Sequence, residues 1–466
     1  MIALTLGEIA AIVGGELVGG AADAVVDGPV EYDNRKIGPG GLFVAFAGAK
    51  VDAHDFGPKA VADGATGVLG SRAVDGVPTV VVDDPRHALG LLARAVVDRL
   101  HEAGGLTVVA LTGSSGKTST KDLVAKLLAR KAPTVATPGS ENNELGTPYT
   151  VLKADADTRY LVLEMGARGI GHLRYLCEIA PPDISVVTNV GVAHMGEFGS
   201  VEGIAQAKGE LVEALGPSGL AVLNADDERV RAMAARTTAQ VRLAGEAADA
   251  EVRATGVEPL ERGRYGFTLH IAGAPDQAVS LAMAGRHAVS NALLAAAVAS
   301  FAGLEPTEIA AGLGDLEGLS DRRMDVFDRA DDVTVIDDSY NANPASMAAA
   351  LHALVAVAGG RRKIAVLGFM AELGAYERAG HEEVGRLAAE LGIDRLVAVS
   401  EQAAPILDGA AAVASWGGDS VLVTDQEAAV ALLRAELRPR DVVLCKGSRY
   451  RTWAVVDALR SEDFRK

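Results

Sequence analysis

Cysteine, aromatic residues, positive charge and long apolar runs are all scarce in this chain, and each scarcity closes off a class of protein. Two cysteines among 466 residues, Cys177 and Cys445, cannot build a disulfide framework; both read as core residues of a protein from a reducing compartment. The longest apolar stretch, Ala292 to Gly303, is too short to cross a bilayer, and it follows Arg286, His287 and Asn291. The start, Met1 to Gly15, carries Glu8 and no basic segment, so it reads as a strand and an amphipathic helix instead of a secretory signal. A cytoplasmic protein without a membrane span is expected. Lys and Arg total 44 against 62 Asp and Glu, a formal net charge of -18. Non-specific nucleic-acid binding needs basic surface to displace counterions, so no nucleic-acid partner is expected. Anionic small substrates would have to be met by locally placed cations and backbone N–H groups.

What is present is ordinary globular stock, 49% hydrophobic and 23% charged, with length for about three domains. Residues 1–104 mix short apolar strands (Leu42 to Ala45, Gly67 to Leu69, Thr79 to Val82) with Gly/Asp turns, then a helical run from His87 to His101 and a stop at Gly104-Gly105. Residues 105–319 alternate helical stretches with near-continuous apolar runs (Leu106 to Thr112, Tyr160 to Leu163, Ile184 to Thr188, Leu220 to Leu223), as a mostly parallel, doubly covered sheet requires. Alternating segments between 251 and 283 predict an antiparallel extension, followed by helices at Ala288 to Ala302 and Pro306 to Leu313. In residues 320–466, strand candidates Val333 to Ile336, Lys363 to Leu367, Arg395 to Val399, Val421 to Val423 and Val442 to Cys445 alternate with helices, predicting a second, Rossmann-like α/β unit.

The sharpest motif is Gly113-Ser114-Ser115-Gly116-Lys117-Thr118-Ser119, between a buried strand and a helical stretch from Lys121 to Arg130. A strand entering a Gly-rich turn and then a helix points backbone N–H groups and the positive helix end at a phosphate. Lys117 would reach the terminal phosphates and Thr118 a magnesium ion. The generic pattern wants glycine where Leu111 stands, so the loop is a variant; a turn with no ligand is the bland alternative. Glu164 ends the strand Tyr160 to Leu163 at the carboxyl edge, where a metal carboxylate belongs, against a surface ion pair as the alternative. His194, beyond the strand ending at Thr188, and Lys208, on the helical stretch Gly203 to Glu210, are candidates whose plain readings are a structural histidine and a solvated charge. Asn142 and Asn143 lie in a polar, turn-rich loop suited to holding a ligand. Asp337 to Pro344, where a strand meets a helix, suggests ribose or base contacts or else a helix cap. The turn Lys446-Gly447-Ser448-Arg449 can clamp a carboxylate.

This set resembles the Mur ligase family, ATP-dependent enzymes that extend the peptide of the bacterial cell-wall precursor, over the whole chain. Besides the P-loop, the discriminating blocks are Asn142 to Pro148, Ala193-His194-Met195 with Lys208-Gly209-Glu210, Asp337 to Pro344, Glu372-Leu373-Gly374 and Lys446 to Arg449. The resemblance implies a UDP-muramyl-peptide domain (1–104), a central ATP domain (105–319) and a C-terminal domain (320–466) that binds a dipeptide and acts as a lid. It implies Gly113 to Ser119 on the ATP phosphates, Thr118 and Glu164 on a first Mg2+, and His194 and Lys208 at a second, with Lys208 carbamylated. Asn291 is expected by the base, Arg323 by the terminal phosphate, and Asp337 and Asn341 by ribose and adenine. Asn34, Arg35, Lys50, Asp52 and His54 match uridine-nucleotide segments, and Asn142, Asn143, Ser448 and Arg449 are expected on substrate. Departures from the family pattern are Asn34, Arg322 before Arg323 where glycine is usual, Phe369, and Tyr450 to Trp453. The implied reaction joins D-alanyl-D-alanine to UDP-N-acetylmuramoyl-tripeptide through an acyl phosphate, by a monomer using ATP and two Mg2+. A ligase adding the third amino acid, a folylpolyglutamate-type relative and a P-loop switch remain alternatives.

Overall fold

A computed structural model describes residues 1–48, 51–191, 195–315, 320–448, 452–461 and 464. The chain is α/β and is organised around three main sheets. The first, five-stranded, runs in the order Glu16–Val18, Thr79–Val81, Ala65–Gly70, Gly41–Val44, Val30–Glu31. Helix Pro85–Glu102 closes it, started by Asp84, whose carboxylate accepts from the Arg86 N–H, and by Pro85 at the first turn. Leu89, Leu92 and Val96 of this helix and Leu42 and Val44 of strand Gly41–Val44 share one hydrophobic cluster with Val108, Ala110, Leu161 and Leu163 of the central sheet, which fixes the first unit against it.

The central sheet has nine strands. From one edge they run Thr134–Ala136, Tyr160–Glu164, Thr107–Thr112, Ile184–Val187, Leu220–Asn224, Gln240–Gly245 and Val252–Pro259, all parallel. Arg264–Ile271 and Gln277–Ala284 then add the antiparallel extension expected for residues 251 to 283. The long apolar run becomes helix His287–Phe301, which packs against the helix Lys117–Ala129. Every residue from Ala292 to Ala299 has no exposure, so the run is apolar all round because sheet and helix cover it on all sides. Among the described residues no helix is long and apolar enough to cross a membrane.

The third sheet runs Asp325–Asp328, Thr334–Asp338, Val442–Lys446, Lys363–Leu367, Arg395–Val399, Asp419–Val423, parallel apart from its first strand. That antiparallel edge strand was not expected, because four residues bounded by two aspartates carry almost no periodic signal. The P-loop helix starts at Lys117, four residues before the expected Lys121. Gly116, in the left-handed conformation, lets the chain turn straight into it, and a run of Thr and Ser without apolar spacing hid its first turn. Cys177 and Cys445 are both buried.

Candidate functional site

The strand Thr107–Thr112 delivers the chain to a turn that needs its glycines. Gly113 has φ +155°, and a Cβ there would meet Thr188 Oγ1 at 1.8 Å; Gly116 has φ +76°, and a Cβ would meet Asn291 Oδ1 at 2.6 Å. The turn is braced from the next strand end. Thr188 Oγ1 donates to the Ser115 carbonyl at 2.7 Å, and Asn189 Oδ1 accepts from the Ser115 N–H at 2.9 Å. The helix that follows presents its unpaired N–H groups to the same space. The Lys117 ammonium donates to the Gly113 carbonyl at 2.8 Å. Burial pushes its pKa down, Glu164 opposes that shift, and Arg323 adds to it.

Beside the loop, oxygen donors and cations converge. Thr118 Oγ1 donates to Glu164 Oε2 at 2.8 Å, and Asn142 Nδ2 to Glu164 Oε1 at 2.6 Å. One Arg323 guanidinium nitrogen donates to both Thr118 Oγ1 (3.3 Å) and Ser140 Oγ (3.2 Å), while its plane covers the Tyr340 ring at 4.4 Å. Lys208 is only 2% exposed and lines the same cavity, about 310 Å3 in volume. Its ammonium pKa falls well below the ordinary lysine value because of burial and the nearby charge of Lys117. The far wall comes from the third sheet: Lys446, buried, pairs with Asp338 at 2.5 Å and donates to the Asn341 carbonyl at 2.9 Å. Asn291 Nδ2 and His287 Nδ1 are buried there without a hydrogen-bond partner among the described residues. Such orphans are what a bound polar group would satisfy.

A glycine-rich strand-to-helix turn, a Thr–Glu oxygen pair and cations from two sheets surround one cavity, and comparison with known proteins shows what the chain is similar to. Three family models match in chain order: Mur ligase family, catalytic domain at 29–96; Mur ligase middle domain at 111–299; and Mur ligase, glutamate ligase domain at 322–449. The UDP-N-acetylmuramoyl-tripeptide--D-alanyl-D-alanine ligase of Mycobacterium tuberculosis is 48% identical, with 99% of each chain covered. The chain belongs to the Mur ligase family. Among solved structures, MurF from Acinetobacter baumannii superposes with a TM-score of 0.87 at 32% identity, covering 98% of both chains. MurF ligase from Thermotoga maritima in complex with ADP gives 0.79 at 28%, covering 93% of this chain and 97% of that one. As a Mur ligase, the protein is an ATP-dependent amide-bond-forming enzyme.

In this Mur ligase the cavity gathers Ser114, Ser115, Gly116, Lys117, Thr118, Ser119, Glu164, Asn142, Asn143, Lys208, Asn291, Arg323 and Asn341 from the expected set. Gly113 lies just behind, holding Lys117 through its carbonyl. His194, Arg449 and Lys50 lie outside the described residues. Three expected residues stand away from this cavity. Asp337 does not line the cavity: successive strand residues face opposite ways, so Asp338 faces it while Asp337, 2% exposed, accepts from Ser339 and faces Arg460 at 3.7 Å. Ser448 also stands off the cavity, because its hydroxyl donates to the Phe369 carbonyl and accepts from the Ala371 N–H. His54 is buried in the first unit, with one ring nitrogen on Asp52 at 2.5 Å and the other accepting from the Ser71 N–H at 2.9 Å. Asp52 is further held by Arg72, whereas Arg35 is exposed on Asp33 and Asn34 is half-buried beside it. Asn143 has a second duty, its Oδ1 accepting from the Leu145 and Gly146 N–H groups at the helix start. Residues lining the cavity that were not singled out one by one include Asp338, Lys446, His287 and Ser140. The two acids in Asp337-Asp338 were a visible signal, but nothing in the sequence set the phase of the strand.

Proposed function

We propose that this Mur ligase joins D-alanyl-D-alanine to UDP-N-acetylmuramoyl-tripeptide, with ATP converted to ADP and phosphate, in peptidoglycan precursor synthesis. Carrying that reading is the end-to-end match, at 48% identity, to a ligase named for that reaction, around a cavity that supplies the chemistry. A substrate carboxylate oxygen attacks the γ-phosphorus and ADP leaves; the dipeptide amine then attacks the acyl carbon, phosphate departs, and the amine loses its proton. The Gly113 to Ser119 turn holds the phosphates, with Lys117 and Arg323 offsetting charge at the transferred group. Thr118 and Glu164, hard oxygen donors 2.8 Å apart and both buried, suit Mg2+, which supplies charge neutralisation when bound.

A second Mg2+ would draw on His194 and on Lys208 carried as a carbamate. CO2 adds to the neutral amine and a proton leaves, turning a cation into an anionic ligand. The burial of Lys208 in the cavity wall and its lowered pKa favour that chemistry. Asn291 and His287 offer their unpaired nitrogens to the nucleoside. The uridine end falls to Asn34 and Arg35 in 1–104, with ATP in 105–319 and the dipeptide in 320–466. One chain supplies every group named, so a monomer acting in the cytoplasm is the expected form. The test is phosphate release and product mass with purified UDP-muramyl-tripeptide, ATP and D-alanyl-D-alanine. Release should require all three and the product should gain the dipeptide; turnover with a single diamino acid on the dipeptide precursor instead would reassign the enzyme to the preceding step.

A further inference from the structure

Arg323 reaches the P-loop from a backbone that should not hold itself in place. Its two neighbours, Arg322 (φ +62°) and Met324 (φ +53°), are both left-handed without being glycine. L side chains persist there only where surrounding contacts over-determine them. Those contacts come from both ends of the segment. At one end the Ser320 hydroxyl donates to Asp122 Oδ2, and the other oxygen of Asp122 meets the Lys121 ammonium at 2.5 Å. Lys121 and Asp122 are 2% and 8% exposed, and Lys121 also donates to the Thr137 carbonyl at 2.7 Å, close to Ser140. At the other end the Arg322 guanidinium pairs with Asp457 at 3.1 Å and lies over the Trp453 ring at 5.6 Å, both on helix Trp453–Arg460. Met324 is buried in the third sheet's core.

The spacing makes sense of the arrangement. Thr118 and Asp122 are i and i+4 on the P-loop helix and so share a face. Thr118 takes Arg323 and Asp122 takes Ser320, so two points of the segment are pinned to one helix face a turn apart. We propose that Ser320–Met324 is a braced clip that aims Arg323 at the transferred phosphate, with Asp122, Ser320, Arg322 and Asp457 as positioning residues. This rests on the reading that Arg323 meets that phosphate. Without the brackets, the strained backbone relaxes and the guanidinium loses its fixed approach.

The experiment compares Ser320→Ala and Asp457→Asn, each alone and in an Arg323→Lys background, by kcat, KM for D-alanyl-D-alanine and melting temperature. In the wild-type background each should lower kcat on the order of tenfold, as small misplacements of a positioned group do, with the melting temperature and the KM for D-alanyl-D-alanine unmoved. In the Arg323→Lys background the further loss should disappear. Arg322→Gly should retain more activity than Arg322→Ala, since glycine takes the left-handed turn without strain. Full activity of both bracket variants, or losses that add undiminished to Arg323→Lys, would overturn the clip. An Arg323→Ala enzyme with normal turnover would instead overturn the role of Arg323 itself, and the clip's purpose with it.

Discussion

On the central-sheet side of the cavity, Thr118 and Glu164 lie 46 positions apart, Thr118 on the helix that follows one strand and Glu164 at the end of the strand beside it. On the opposite side, Asp338 and Lys446 are 108 positions apart, and Arg323 reaches Thr118 across 205. The first wall is a strand-turn-helix motif with its acid on the neighbouring strand, so local sequence nearly builds it. The second exists only once the third sheet has folded and docked. Their energetics differ as well. The central wall is a chain of hydrogen bonds among half-exposed and buried groups, with one buried amine, Lys208, beside them. The C-terminal wall places a fully buried cation against a buried carboxylate, an arrangement that is costly to break from one side.

That contrast can be broken by experiment. The largest effect is expected at Lys208, where Lys208→Ala should lower kcat by about two to three orders of magnitude, the range for removing one charge-stabilising group. Thermal stability should change little, and short-chain carboxylates should restore part of the rate. An active, unrescued variant would remove Lys208 from the chemistry. Next comes the pair on the other wall. Asp338→Asn strands the Lys446 ammonium and should cost about 3 kcal/mol of stability in denaturant unfolding. Asp337→Asn should cost under about 1 kcal/mol, because burial already raises the Asp337 pKa and favours its neutral form. Equal losses would mean that the two faces of that strand are not distinct in solution.

The smallest effect lies away from both walls, where His101 on helix Pro85–Glu102 meets Asp183 at 3.1 Å. The Asp183 hydrogen bond, outweighing burial, raises the histidine pKa. A raised histidine stabilises the fold fully below its ordinary value of about 6.5 and loses that contribution as pH climbs through the raised one. The melting-temperature gap between wild type and His101→Gln should therefore be widest in mild acid and close in alkali, with kcat unaffected. A gap constant across pH would show that the contact is not charge-dependent.

How far the site could be read in advance follows the same divide. Gly113 to Thr118 were legible because glycine, lysine and threonine in that order after an apolar run leave few alternative geometries. Glu164 was legible because a buried strand ending in an acid has one useful edge. Asp337 was taken for Asp338 because the apolar run Val333 to Ile336 has no alternation from which to choose a face. Ser448 was taken for a ligand contact because its partners, Phe369 and Ala371, arrive from a loop some 79 positions away. The unusual Arg322 was visible as a departure, but its purpose was not, since Asp457 and Trp453 lie on the last helix.

Sequence alone determined that this is an acidic α/β chain with a glycine-rich strand-to-helix turn, because composition and short motifs act through local geometry. It settled also that attraction for polyanions must be local. Tertiary structure decided how the charges are placed: Lys117 rests on the Gly113 carbonyl, Arg323 reaches the Thr118 and Ser140 hydroxyls, Lys446 is paired with Asp338, and Lys208 is left buried beside them. Those outcomes depend on strand phase and on pairs that form only when distant segments pack, information that no window of sequence contains.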